Sequence, residues 1–284
     1  MADLQKLVDD AVKAGVELFA PQQLRSDELA VTLIDLRDEP RPVQANHRGD
    51  DPIYPASVVK LFYLVAAHRQ LEDGQISDTP ELRRALHDMI VHSGNEATGY
   101  VVDVLTGTTS GPELPPAELA AWHERRNAVN RYFHSRGFTD INANRKTWHD
   151  GPYGRDRQAV EQFTPAKNSL TTNTTARLLA EIAAGHCVSA DRSAQMLELM
   201  RRDFSDPGRA DRQACEFIGA ALPVGAKLWS KAGYMTVARH DAAVLELPVG
   251  AKLVLVIFTT RPDEPKIIQF IAQRIVGEFS VSQI

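Results

Sequence analysis

The chain of 284 residues is 43% hydrophobic and 24% charged, with 17 Gly, 16 Pro and 2 Cys. That composition excludes a peptide scaffold, a collagen-like repeat and a disordered chain, and the length suits one large domain or two intimate ones. With 32 basic against 37 acidic side chains the net charge is −5, so no global basic field points to a nucleic-acid partner.

In chain order, Leu4, Leu7, Val8, Ala11, Val12, Val16 and Phe19 recur at helical spacing, so an amphipathic helix opens the chain and Pro21 ends it. Asp3, Asp9, Asp10 and Glu17 interrupt every apolar run there. This is neither a signal peptide nor a membrane span, so the expectation is a cytoplasmic protein without a membrane partner, unless a leader has been removed. Leu29 to Leu36 reads as a strand, and a weaker one follows the Asp38-Glu-Pro-Arg turn at Val43 to His47. The centre is helical in texture, with expected helices at Ser57–Gln70, Thr79–His92, Glu96–Leu105, Pro116–Arg136 and Thr174–Ala184. Two loops stand out, Thr106–Pro116 and the long stretch Asn142–Asn168, a length that is usually functional. Strand-like runs return at Lys227–Ser230, His240–Leu247 and Lys252–Thr260, and a helix spans roughly Pro265 to Phe279.

These elements describe an α+β (α/β) fold: an antiparallel sheet of about five strands flanked by N- and C-terminal helices, with an inserted all-helical lobe. The expected division is 1–56 plus 216–284 for the sheet lobe and 57–215 for the helical lobe, with functional residues gathered at the seam. Cys187 and Cys215 are read as two buried free thiols.

The most informative segment is Tyr54-Pro-Ala-Ser57-Val-Val-Lys60. Pro55 suits a chain entering a helix, and residues three apart share a helix face, so Lys60 can approach the Ser57 hydroxyl. A serine hydroxyl needs a base to become a good nucleophile, and a lysine serves if burial lowers its pKa. The same spacing suits an N-cap serine with a solvated lysine. The apolar neighbours Val58, Val59, Leu61, Phe62 and Leu64 argue instead for burial. His92-Ser93-Gly94-Asn95 makes a tight polar corner between two helices, fit either to relay a proton and hold a carbonyl or to cap the next helix. Trp229-Ser-Lys231-Ala-Gly233-Tyr234 lies on an expected strand, where it can offer a cation and a bare backbone edge to a ligand.

In this order, within a sheet–helix–sheet frame, the three segments resemble the penicillin-recognising serine enzymes, the class A β-lactamases in particular, whose pattern is Ser-x-x-Lys, Ser-Asp-Asn and Lys-Thr/Ser-Gly. Asn95-Glu-Ala-Thr98 and the Thr-rich segment from Leu170 are also family-like. The resemblance implies that Ser57 attacks a carbonyl, that Lys60 is base or relay, and that Ser93 passes a proton to the leaving nitrogen. It gives Asn95 the substrate's acyl side chain and Lys231 the supply of positive potential. By the same resemblance the backbone N–H groups of Ser57 and Tyr234 would form the oxyanion hole beside Gly233. Arg239 meets a substrate carboxylate or forms a structural ion pair with Asp241 or another acid.

Several positions depart from that pattern. Ala232 replaces a hydroxyl residue, Gly94 replaces an Asp, and the Ser57–Ser93 spacing is short for class A enzymes, which implies a trimmed helical lobe. Asn142–Asn168 lacks the family's Glu-x-x-x-Asn deacylation pattern; Glu161 is the sole Glu there, with Asp150 and Asp156 as other acidic candidates. Trp148 and Tyr153 either line a substrate pocket or anchor the loop. His47, His87, His123, His134 and His149 show no ligand spacing, so neither metal nor other cofactor is expected. A basic cluster at Trp122–Arg131 is assigned no partner.

The resulting expectation is a serine hydrolase of β-lactamase type acting on a small-molecule substrate as a monomer or weak dimer. A peptidase, esterase or amidase of the same fold, or an acyl-trapping binding protein, are the alternatives.

Overall fold

A computed structural model of the protein describes residues 3–38, 41–148, 150–204 and 211–281. Along the chain, α1 (Leu4–Leu18) leads into the hairpin of β1 (Leu29–Asp35) and β2 (Val43–His47). A 3-10 turn at Ala56–Val59 runs directly into α2 (Lys60–Glu72), followed by α3 (Pro80–Ile90) and α4 (Asn95–Thr106). Next come α5 (Pro116–Arg126), α6 (Ala128–Ser135), α7 (Gly154–Gln162), α8 (Thr172–Ala183) and α9 (Ala190–Met200). The last part holds β3 (Arg201–Arg202), the short α10 (Arg212–Cys215), β4 (Lys227–Met235), β5 (Ala238–Glu246), β6 (Lys252–Thr259) and α11 (Lys266–Val281).

The chain divides into two compact units, Met1–Val58 with Thr171–Ile284, and Val59–Leu170. The first is built on a six-stranded antiparallel sheet in the order β2-β1-β6-β5-β4-β3. Its strand β1, Leu-Ala-Val-Thr-Leu-Ile-Asp, paired on both sides, is buried at every position, as a strand covered on both faces must be. On one face Leu29, Val31, Leu33, Leu253, Leu255 and Ile257 join Val8 and Val12 of α1 and Ile268, Ile271 and Ile275 of α11 in one apolar cluster. On the other, α8 packs on β1, β5 and β6. There the buried Thr32 hydroxyl meets the Thr172 hydroxyl and Asn173 Oδ1, each at 2.8 Å.

Unit boundaries fall at Val58/Val59 and Leu170/Thr171 rather than at 56/57 and 215/216. The difference is the stretch holding α8, α9, β3 and α10; α8 and α9 pack on the sheet, α9 against β4. Helical periodicity reports an apolar face but not what covers it. The sixth strand is the two-residue β3, too short to leave a pattern, and β4 runs on through Met235.

The second unit is helical. Its expected 116–136 helix breaks at Asn127, whose side chain donates to the His123 carbonyl at 3.0 Å and accepts from Asn130 and Asn144 at 3.1 and 2.7 Å. The stretch Asn142–Asn168 is closed at its base by paired backbone bonds between Asn142 and Ser169 and contains α7. Asn168 Oδ1 takes the backbone N–H groups of Asn144 and Arg145 at 3.1 and 2.9 Å. His149 lies outside the described residues. The Trp122–Arg131 cluster is not a solvated face throughout. Arg126 is buried, its guanidinium 4.5 Å over the Trp122 ring and within 3.2 Å of Asp103 and 3.6 Å of Asp156. Cys187 is buried as expected, whereas Cys215, at the end of α10, is exposed; both are free.

Candidate active site

In the sheet unit, Ser57 is half-buried on the 3-10 turn at Ala56–Val59. The residue before it, Ala56, holds a φ of +45°, a region that costs an L-residue and is commonest where function requires it. The turn is tied down by Val58 N–H to the Pro55 carbonyl at 3.0 Å and by His240 on β5, whose Nε2 lies 2.8 Å from the Tyr54 carbonyl. His240 Nδ1 accepts from the Thr259 N–H at 3.2 Å, so Nε2 carries the proton. Burial pushes this imidazole down to about 4, which keeps it neutral.

Gly233 brings β4 against that turn. A Cβ there would lie 2.8 Å from the Pro55 carbonyl, 2.9 Å from Ser57 N and 3.0 Å from Val58 N, distances at which only glycine fits. The strand edge and the Ser57 backbone N–H are therefore in close approach. Lys231, fully buried on the same strand, donates to Gln213 Oε1 at 2.5 Å and to the Ala232 carbonyl at 2.7 Å. Ala232 points into the apolar cluster against α1 and α11. Tyr234 is 59% exposed. Arg239, paired with it across the hairpin, lies 4.4 Å over the Phe217 ring and within 3.2 and 3.5 Å of the Glu216 carbonyl and carboxylate. Its acidic partner is Glu216, while Asp241 turns inward to accept from the Ile218 N–H at 3.0 Å.

In the helical unit, Lys60 is the first residue of α2 and is fully buried, as are Leu61 through His68 after it. Its Nζ donates to the Ser93 carbonyl at 2.6 Å, Asn95 Oδ1 at 2.9 Å and Ser93 Oγ at 3.2 Å. Removing the amine from water lowers its pKa from 10.5 to about 7, with Glu96 opposing the shift. Ser93 stands in the corner between α3 and α4 with a φ of +57°. Gly94 N–H reaches back to the Asp88 carbonyl at 2.9 Å, and Thr98 Oγ1 donates to the Gly94 carbonyl at 2.7 Å. Three of the sequence-derived residues, Lys60, Ser93 and Asn95, thus converge on one ammonium position. Two of the five non-glycine residues with positive φ among the described residues, Ala56 and Ser93, flank or form the motifs.

The acidic candidates of the 142–168 stretch do not join that group. Glu161 is exposed on α7 and pairs with Arg157 one turn back at 3.8 Å; Asp156 is buried against Arg126; Asp150 is exposed. Tyr153 is 69% exposed at the start of α7. The histidine reading names His87 without His92, which with Asp88 brings three donor atoms within 4.8 Å of one another. The missed signal was His92, five residues on and absorbed into the Ser93 corner.

A family model described as the beta-lactamase enzyme family matches residues 77–279, a span that holds Ser93, Asn95 and Lys231–Gly233 and begins after Ser57 and Lys60. No curated protein sequence matches. Among solved structures, a beta-lactamase from Sphaerobacter thermophilus DSM 20745 aligns with a TM-score of 0.69 at 19% identity over 96% of this chain and 97% of that one. PBP-A aligns with a TM-score of 0.67 at 18% identity over 95% and 96%. A beta-lactamase from Chitinophaga pinensis DSM 2588 aligns with 0.67 at 17% identity over 96% and 100%. At these identities the likeness is one of fold. Among the described residues no helix is long and apolar enough to cross a membrane.

Proposed function

The chain belongs to the beta-lactamase enzyme family, and on that premise we propose that it is a serine hydrolase acylated at Ser57 by the carbonyl of a β-lactam or of another amide or ester. The observation that carries this reading is the Lys60 amine. It is buried, its three hydrogen-bond acceptors are all neutral, and its pKa of about 7 is that of a group able to take a proton at neutral pH. Ser57 precedes it by three residues on one continuous turn.

In the proposed reaction the neutral Lys60 amine takes the Ser57 hydroxyl proton as Oγ bonds to the carbonyl carbon. The backbone N–H groups of Ser57 and Tyr234 hold the oxyanion, an interaction worth about 2.7–4 kcal/mol per donor. The close approach of Gly233 to Ser57 N supports that pairing. The bond to the leaving nitrogen or oxygen then breaks as Ser93 gives it a proton, and Lys60 returns one to Ser93 through their 3.2 Å contact. A hydroxyl can both accept from an ammonium and donate to an amine, so this contact works in either direction. Water then adds its oxygen to the acyl carbon and its proton to Ser57 Oγ, which frees the enzyme. Asn95 orients the acyl group, and Lys231 and Arg239 supply positive potential for an anionic substrate.

A second reading, an acyl-enzyme that persists, is favoured by one observation: Glu161 faces solvent in an ion pair with Arg157. No carboxylate of the kind the family uses for deacylation is then assigned. The test is incubation with nitrocefin, a fluorescent penicillin and a p-nitrophenyl ester, following turnover and intact mass together. Lactam turnover supports the hydrolase, ester turnover alone a non-lactam hydrolase, and a lasting mass increase the trap. Ser57→Ala should abolish both turnover and adduct while folding normally. Full activity in that variant would overturn the assignment.

A further inference from the structure

The corner that presents Ser93 carries a second constellation that the reaction does not use. His87 and Asp88 occupy the last turn of α3, and His92 follows in the bend. His87 Nδ1 lies 3.2 Å from Asp88 Oδ1, and the two imidazole rings stand 5.3 Å apart at 68°. All three donor atoms fall within 4.8 Å of one another. Both imidazoles are exposed and Asp88 is half-buried, so an ion can arrive and exchange. The His92 ring stands edge-on to the His87 ring.

We infer that His87, Asp88 and His92 form a binding site for a divalent transition metal of the zinc, cobalt or copper class. The donor set decides the class. Two imidazoles and one carboxylate suit these ions, whereas magnesium and calcium want oxygen throughout. Zinc bonds imidazole nitrogen at about 2.0–2.1 Å and carboxylate oxygen at about 2.0–2.2 Å, so tetrahedral ligands stand about 3.3–3.5 Å apart. The donor atoms, now within 4.8 Å of one another, would draw closer on binding, and solvent would supply the fourth ligand.

The backbone makes the site more than a pair of neighbouring side chains. Val91 N–H bonds to the His87 carbonyl at 2.7 Å, and Gly94 N–H to the Asp88 carbonyl at 2.9 Å. The segment from 87 to 94 is therefore already closed on itself, and an ion held by His87, Asp88 and His92 would fasten the end of α3 to the residue just before Ser93. The inference stands on these side chains and does not depend on Ser57 being acylated.

The experiment uses the full chain without a polyhistidine tag, stripped with chelator and held at pH 7.5. Cobalt is followed by its visible absorption and zinc by calorimetry. One ion per chain is expected. His87→Ala and His92→Ala should each weaken binding by more than about tenfold, since even loss of a group outside the ligand set costs about 10–100-fold. His134→Ala, an exposed histidine on α6, should leave the affinity unchanged. In wild type the ring resonances of His87 and His92 should shift on adding zinc and that of His134 should not. Absence of saturable binding by either ion overturns the inference, and so does unchanged affinity in the His87→Ala/His92→Ala double variant. Circular dichroism of these surface variants should match that of wild type.

Discussion

Among the described residues two lysines are fully buried, Lys60 at the head of α2 and Lys231 on β4, and their surroundings differ in kind. Around Lys60 the hydrogen-bond acceptors are a carbonyl, an amide oxygen and a hydroxyl, all neutral, and the Glu96 charge opposes burial without cancelling it. Lys231 also meets an amide and a carbonyl, but it shares its interior with the Asp241 carboxyl and the Arg202 guanidinium. That carboxyl is raised to about 7 by burial, against the pull of its two backbone N–H donors and of Arg202 and Lys231. Burial alone does not decide what a lysine is for. An amine among neutral dipoles is released toward its free base, and one set among ionisable partners is placed to act through its charge.

The largest expected effect tests this division of labour. Lys60→Met should lower the acylation rate about 10²–10⁴-fold, the usual contribution of a general base, with little change in apparent substrate affinity. Lys231→Met should instead raise KM for anionic substrates and spare much of the maximal acylation rate. Single-turnover measurements on both variants separate the two. A greater loss of maximal rate at Lys231 than at Lys60 would reverse the roles.

Next in size is Gly233→Ala. Its methyl group would lie against the Pro55 carbonyl and the N–H groups of Ser57 and Val58, backbone atoms that cannot swing aside. Overpacking of this kind costs about 1–3 kcal/mol, to be read by denaturant unfolding, and the same clash should slow acylation by any substrate. If stability and acylation are both unchanged, β4 does not approach Ser57 as closely as described.

These residues also mark what was legible in the sequence. Ser57, Lys60, Ser93, Asn95, Lys231 and Gly233 stood out because a rare combination of types recurred in a fixed order, and the strands because Val, Ile and Leu runs are bounded by turns. The site's electrostatics were only half legible. The apolar neighbours of Lys60 foretold its burial, but Gln213 and Asp241 reach Lys231 through tertiary packing that no local spacing encodes. The same holds for α8 and α9, whose periodicity was plain and whose attachment to the sheet was not. The break at Asn127 is held in part by Asn144, further along the chain, a contact that no local spacing encodes.

A third test uses pH. If the free base of Lys60 is the reactive form, acylation should rise about tenfold from pH 6 to pH 8, with a midpoint of about 7. Stability should change in the same direction through the same group, over a higher pH range. The folded state releases the proton at about 7 while the unfolded chain holds it to about 10.4, so the full cost of burying the amine is present below pH 7 and is relieved as pH rises from 7 towards 10. Comparing wild type with Lys60→Met by thermal melts at pH 6 and pH 10 checks the sign: the variant should gain relative to wild type at the lower pH.

The smallest expected effect concerns the one glutamate in the 142–168 stretch. Glu161 keeps 63% of its side-chain surface in water, and its partner Arg157 lies one turn back on α7. Exposed helix pairs at this spacing contribute about 0.3–0.5 kcal/mol, so Glu161→Gln should change deacylation by less than about twofold and leave the melting temperature almost unmoved. A carboxylate already solvated by bulk water has no means of activating one water above the rest, whereas the Lys60 amine has been stripped of solvent and turned toward fixed dipoles. A loss of deacylation greater than about tenfold in Glu161→Gln would mean that α7 presents this side chain to the acyl group during turnover. Reactivity in this chain would then follow loop position, and the contrast between buried and solvated ionisable groups would no longer explain which ones do chemistry.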